Sequence, residues 1–268
     1  MRDIFGRFAG LSGPAQAFIA TVFTWGVTAL GAGVVFAFKR IKKGVMDAML
    51  GFAGGVMTAA AFWSLLSPAL EMAQSIGYSP WLTAAAGFLS GGLLLFAGDK
   101  LFDALEKKSG GEGRSRRRCL MLIFSITLHN IPEGMAVGVA FGSLGYGLEG
   151  ATLAAALMLA LGIGLQNFPE GTAVSVPLLR EGLSRRRAFF FGQLSGVVEP
   201  VAGVLGALLV SKARLLLPFL LAFAAGAMIY VVVEELIPES QTNEKKNVMA
   251  LFTLIGFAVM MVMDVALG

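Results

Sequence analysis

Eight apolar stretches run through this chain, near residues 16–38, 46–67, 81–101, 119–141, 151–178, 188–210, 217–237 and 248–267, and each is long enough to cross a bilayer. A helix rises about 1.5 Å per residue, so about 20 residues cover roughly 30 Å of hydrocarbon. The expectation is an all-α membrane protein of eight transmembrane helices. With 56% hydrophobic and 14% charged residues and a mean hydropathy of +0.77, the 268-residue chain lies outside the composition of soluble domains. The first stretch is too long for a signal-peptide core and ends in a basic cluster, so it reads as a retained span. Turn and charge signals mark the breaks: KRIKKG after the first span, GYSP before the third, GSLGYGLEG after the fourth and REGLSRRR after the fifth. Residues 102–118 read as a linker, and 1–268 as one polytopic transmembrane domain. Glycines spaced four apart, at 51 and 55, 87 and 91, 138 and 142, and 192 and 196, predict close helix crossings. The single cysteine, Cys119, excludes an intramolecular disulfide.

Orientation follows from the basic residues. Lys39, Arg40, Lys42, Lys43, Lys100, Lys107, Lys108, Arg114, Arg116, Arg117, Arg118, Arg180, Arg185, Arg186, Arg187, Lys245 and Lys246 lie at or after the ends of spans 1, 3, 5 and 7. Arg2, Arg7, Lys212 and Arg214 stay on the other side, so the positive-inside rule puts both termini outside the cytoplasm and the linker within it. These charges account for the pI of about 9.4 as topology determinants beside anionic lipid, and no nucleic-acid partner is expected. The short loops fit a multi-pass protein of a bacterial inner membrane.

Two strings break the apolar pattern. HNIPEG at 129–134 and QNFPEG at 166–171 repeat one arrangement of polar residues in spans 4 and 5, and Glu199 lies as deep in span 6. A carboxylate at the bilayer centre costs about 2.5–3.5 kcal/mol on insertion scales, so Glu133, Glu170 and Glu199 require compensation. His129 and Asn130 stand four and three residues before Glu133, on one helical face, and Gln166 and Asn167 stand in the same relation to Glu170. Pro132 and Pro169 remove a backbone donor in each helix and predict a kink at this depth. Such interrupted helices recur at the ion sites of transporters. The oxygen-rich donor set with one imidazole and no thiolate suits Zn²⁺, Fe²⁺ or Mn²⁺ and disfavours Cu⁺. Carboxylates at span ends outline a route: Glu71 at the outer end of span 2, and Glu234, Glu235 and Glu239 at the inner end of span 7. Asp47, Asp99, Asp103 and Asp264, also near span ends, receive no role.

HNIPEG, QNFPEG and GQLSGVVEP at 192–200 together resemble the ZIP (ZRT/IRT-like) metal-transporter family, in particular its GufA-like branch, over essentially all eight spans. The resemblance implies a 3+2+3 arrangement, with spans 1–3 and 6–8 as inverted repeats around spans 4 and 5, and a two-metal site. His129, Glu133, Gln166 and Glu170 match one metal position; Asn130, Asn167 and Glu199 match the second, with Glu133 and Glu170 shared. Met57 in GVMTAA matches a methionine beside the site, Glu71 an entrance residue, and Glu234 and Glu235 exit ligands. Asn167 stands where some members carry Asp, which implies a weaker second position, and the loop SGGEGRSRRR lacks the histidines that many members carry there. The implied activity is alternating-access transport of Zn²⁺ into the cytoplasm, with Cd²⁺, Fe²⁺ and Mn²⁺ as further cargo, no organic cofactor, and a second copy of the chain as a candidate partner. Two other readings use the same residues: a membrane-embedded metal hydrolase, which HNIPEG supports poorly because it is not HExxH, and a proton- or sodium-coupled carrier of organic solute.

Overall fold

The computed structural model describes the backbone of residues 2–38, 42–108, 114–146, 151–180, 182–212, 214–242 and 244–267, with side chains for these except 2–5, 102–126, 128–129, 146, 180, 211–212, 214 and 267. The helices are α1 (Arg2–Ala9), α2 (Gly13–Ala37), α3 (Lys43–Ser75), α4 (Pro80–Lys108), α5 (Arg114–Ser143), α6 (Leu153–Arg180), α7 (Arg185–Val210), α8 (Leu217–Ser240) and α9 (Lys246–Ala266). No strand occurs among the described residues. Seven helices are long and apolar enough to cross a membrane among those residues: α2, α3, α4, α6, α7, α8 and α9. The remaining expected span, 119–141, falls inside the 30-residue helix α5.

Two of the spans that run past their expected ends do so for the same reason. The apolar stretches end at 67 and 237, each just before a proline, yet α3 continues to Ser75 and α8 to Ser240. In each, a π-turn precedes the proline: Ala61–Leu66 before Pro68, and Val232–Leu236 before Pro238. A proline ring clashes with the carbonyl four residues back, here that of Ser64 or Glu234, and the wider turn makes room. At the 102–118 linker, helix α4 extends to Lys108 and α5 begins at Arg114, so helix occupies much of a segment read as loop, while 109–113 lie outside the described residues.

The closest packed pairs are α2 with α6, α3 with α9, α4 with α8, and α5 with α7. Each has a glycine at its crossing. A Cβ on Gly31 would strike the Phe168 carbonyl, one on Gly55 that of Thr253, one on Gly91 that of Phe223, and one on Gly138 that of Gly203. Hydrocarbon around the helices leaves little hydrophobic drive for pairing, so close approach and dispersion must hold these pairs together. The core agrees, with Ala53, Ala59, Ala60, Ala222, Ala225 and Ala227 fully buried between helices. In α3 and α8, 61% of the most apolar window is buried, against 22% in α4 and 17% in α9, so α4 and α9 stand at the periphery.

Candidate metal centre

Helices α5 and α6 pack against each other and against α2 and α7, which brings the two polar strings and Glu199 together. Asn130, Glu133, Gln166, Asn167 and Glu199 have no solvent exposure, and Glu170 has 5%. Hydrogen bonds fix their directions. Gln166 Nε2 donates to Glu133 Oε1 at 2.6 Å, joining the strings across the helix pair. Asn130 Nδ2 donates to the Ser195 carbonyl at 2.8 Å. Asn167 Nδ2 donates to Glu199 Oε1 and Oε2 at 2.9 and 3.1 Å and reaches the Thr24 carbonyl at 3.2 Å. Thr24 Oγ1 donates to Glu199 Oε2 at 2.5 Å.

With the amide nitrogens engaged, the amide oxygens are left over. Asn130 Oδ1, Gln166 Oε1, Asn167 Oδ1, Glu133 Oε2 and Glu170 Oε2 are all buried and accept no hydrogen bond from any described group. A buried polar atom without a partner costs about 1–3 kcal/mol. Five unpartnered acceptors in one polar cluster form an arrangement that a cation satisfies and an apolar or purely acceptor ligand does not. The charges of Glu133, Glu170 and Glu199 also repel one another, and a cation removes that repulsion. Among the described residues no three His, Cys, Asp or Glu side chains gather as one group, so the site combines carboxylates with amides.

Local structure explains how Glu199 reaches the others. A 3-10 turn, Ser195–Val197, interrupts α7, and Pro200 offers no N–H to the Gly196 carbonyl. The helix restarts with Glu199 in its first turn, where the positive end of the dipole favours a carboxylate. The Ser195 carbonyl in this break is the one that Asn130 caps. Trp25 on α2 braces the same region, its Nε1 donating to the Gln193 carbonyl at 2.9 Å.

The other expected residues are placed less closely. The His129 side chain lies outside the described residues, though its backbone continues α5. Met57 is fully buried on α3 in the core that also contains Ile163 of α6. Pro132 and Pro169 sit inside helices that continue past them. Glu71, Glu234 and Glu239 are exposed and Glu235 is half-buried. Glu235 nevertheless lies close enough to Glu170 for their charges to interact, linking the centre to the C-terminal part of α8.

Two residues escaped the sequence reading. Asp264, given no role, accepts a 2.6 Å hydrogen bond from Ser64 on Oδ1 and buries Oδ2 without a partner. Its signal was an acid in an apolar run, set aside because it lay near a span end. Thr24 gave no signal, since threonines in apolar helices commonly bond their own backbone, as Thr21 does to the Ala17 carbonyl at 2.7 Å. A 620 Å³ cavity beneath α1, lined by Gln16, Phe141 and Leu153 among others, contains none of the site residues.

Residues 103–264, more than half of the 268, match the family model described as ZIP Zinc transporter. The chain belongs to the ZIP family. It is 39% identical to Zinc transporter ZIP11 of Xenopus tropicalis, over 97% of this chain and 99% of that protein. Identity is 36% to Zinc transporter GufA of Myxococcus xanthus, over 93% and 98%, and 37% to Zinc transporter ZIPB of Bordetella bronchiseptica, over 90% and 78%. This ZIP protein is therefore a GufA-like membrane transporter of divalent metal rather than an enzyme, as its two strings and GQLSGVVEP implied, and the hydrolase and organic-solute readings fall away.

Proposed function

We propose that this ZIP protein moves Zn²⁺ into the cytoplasm by alternating access, with Cd²⁺, Fe²⁺ and Mn²⁺ as further cargo. The observation that carries the reading is the set of five buried, unpartnered oxygens on Asn130, Glu133, Gln166, Asn167 and Glu170. His129, Glu133, Gln166 and Glu170 form the principal metal position. The second comprises Asn130, Asn167 and Glu199 with the two shared carboxylates, and is weaker because Asn167 brings an amide in place of a charge. Met57 flanks the principal position. Zinc as the foremost cargo is supported by the names of the relatives.

On this reading a cation enters past Glu71 and the Ser64–Asp264 pair, is held at Glu133 and Glu170, and leaves past Glu235, Glu234 and Glu239. The two carboxylates replace hydration shed on entering the site, and release follows when the centre opens to the cytoplasmic side. Inverted halves, α2 to α4 and α7 to α9 around α5 and α6, are supported by the packing. Exchanging α2 with α7, α3 with α8, α4 with α9, and α5 with α6 returns the same four closest pairs. The π-turns of α3 and α8 exchange with one another as well. The positive-inside rule then sets both termini outside the cytoplasm, in a cell membrane, with the bacterial inner membrane as the location.

Zn²⁺ uptake into proteoliposomes of the purified protein tests the assignment. Glu133→Ala and Glu170→Ala are each expected to abolish uptake, and transport surviving in either variant would contradict it.

A further inference from the structure

We propose that Thr24 and Asn167 hold Glu199 back from metal coordination, so that the centre binds one divalent cation tightly and one at its second position only weakly. This rests on the reading of Glu133 and Glu170 as metal ligands.

The three buried glutamates are not equivalent. Glu133 and Glu170 each keep an oxygen without a donor, whereas both oxygens of Glu199 accept hydrogen bonds. Thr24 Oγ1 has one proton and two acceptors in reach, the Thr21 carbonyl at 3.0 Å and Glu199 Oε2 at 2.5 Å. The carboxylate contact is shorter and charge-assisted, so the proton goes there. Asn167 is fixed by what surrounds it. Its Nδ2 faces the Thr24 carbonyl and both oxygens of Glu199, which only accept, so the nitrogen must point to them and Oδ1 away. Turning Oδ1 toward a cation shared with Glu199 would break all three bonds. An aspartate at 167 could make none of them.

Gly196 completes the cradle. A Cβ there would lie 3.1 Å from Glu199 Oε1 and 3.1 Å from Thr28 Oγ1, so the bare glycine lets α7 bring Glu199 against the threonine face of α2. Thr24 is a positioning residue, since it acts on the metal count only through Glu199.

Counting metal on the full chain in detergent decides the matter, by equilibrium dialysis against Cd²⁺ with elemental analysis of the protein. The unchanged protein is expected to bind one Cd²⁺ per chain with high affinity. Thr24→Val and Asn167→Asp are each expected to bind a second at least tenfold more tightly than the unchanged protein does, while Thr24→Ser, which keeps the hydroxyl, stays at one. Two Cd²⁺ of similar affinity in the unchanged protein would overturn the proposal and leave the metal centre standing. So would a second affinity that neither Thr24→Val nor Asn167→Asp moves. Absence of bound Cd²⁺ from the unchanged protein would overturn both readings.

Discussion

Glu133 and Glu170 sit where a carboxylate is expensive, and each keeps a buried oxygen without a donor, as do the amides of Asn130, Gln166 and Asn167. Replacing either by Gln removes the charge while keeping the shape. Glu133→Gln and Glu170→Gln should each weaken Zn²⁺ binding more than tenfold, about 1.4 kcal/mol, in calorimetric titration of the purified protein. Glu71→Gln and Glu239→Gln alter exposed acids at the ends of the proposed path and should leave that affinity within about twofold, slowing uptake instead. At this scale the grouping of the polar residues was legible in the sequence, because polar residues at helical spacing in an apolar run stand out, and the structure brings Glu133 to Gln166 and Asn167 to Glu199. What the sequence hid was direction. No spacing rule says that the Asn167 nitrogen, rather than its oxygen, faces Glu199, or that Thr24 donates across to α7; both depend on a neighbouring helix supplying acceptors.

Among the helices, the four-residue glycine spacing correctly marked close crossings, with Gly55, Gly91, Gly138 and Gly192 each leaving no room for a Cβ. Adjacent positions give a controlled test on α4. A Cβ on Gly91 would overlap the Phe223 carbonyl, while one on Gly92 meets nothing nearer than 3.6 Å, the Gly226 carbonyl. Gly91→Ala should therefore destabilise the folded protein by about 1–3 kcal/mol, the usual cost of overpacking. Gly92→Ala should be near neutral, both measured by unfolding in detergent with size-exclusion recovery as the check. Helix ends were less legible than crossings. A proline usually stops a helix, yet π-turns carry α3 and α8 past Pro68 and Pro238, and those turns leave no mark in hydropathy.

The whole molecule reads as a frame for one charged centre. Hydropathy marked where the long apolar helices lie along the chain, but pairing of α2 with α6 and of α3 with α9 joins residues far apart in the chain and emerges only from the packed structure. A cation bound by groups on α5 and α6 should stabilise the native assembly by linkage. At a free Zn²⁺ concentration 100 times its dissociation constant the gain is about 2.7 kcal/mol, visible as a raised melting temperature that a Glu133→Gln, Glu170→Gln double variant should lose. The most direct measurement is anomalous scattering from crystals of the full chain soaked in Cd²⁺. The account predicts a dominant peak between α5 and α6, within coordinating distance of both Glu133 and Glu170. A dominant peak away from those two carboxylates, or none in the soaked crystal, would contradict it.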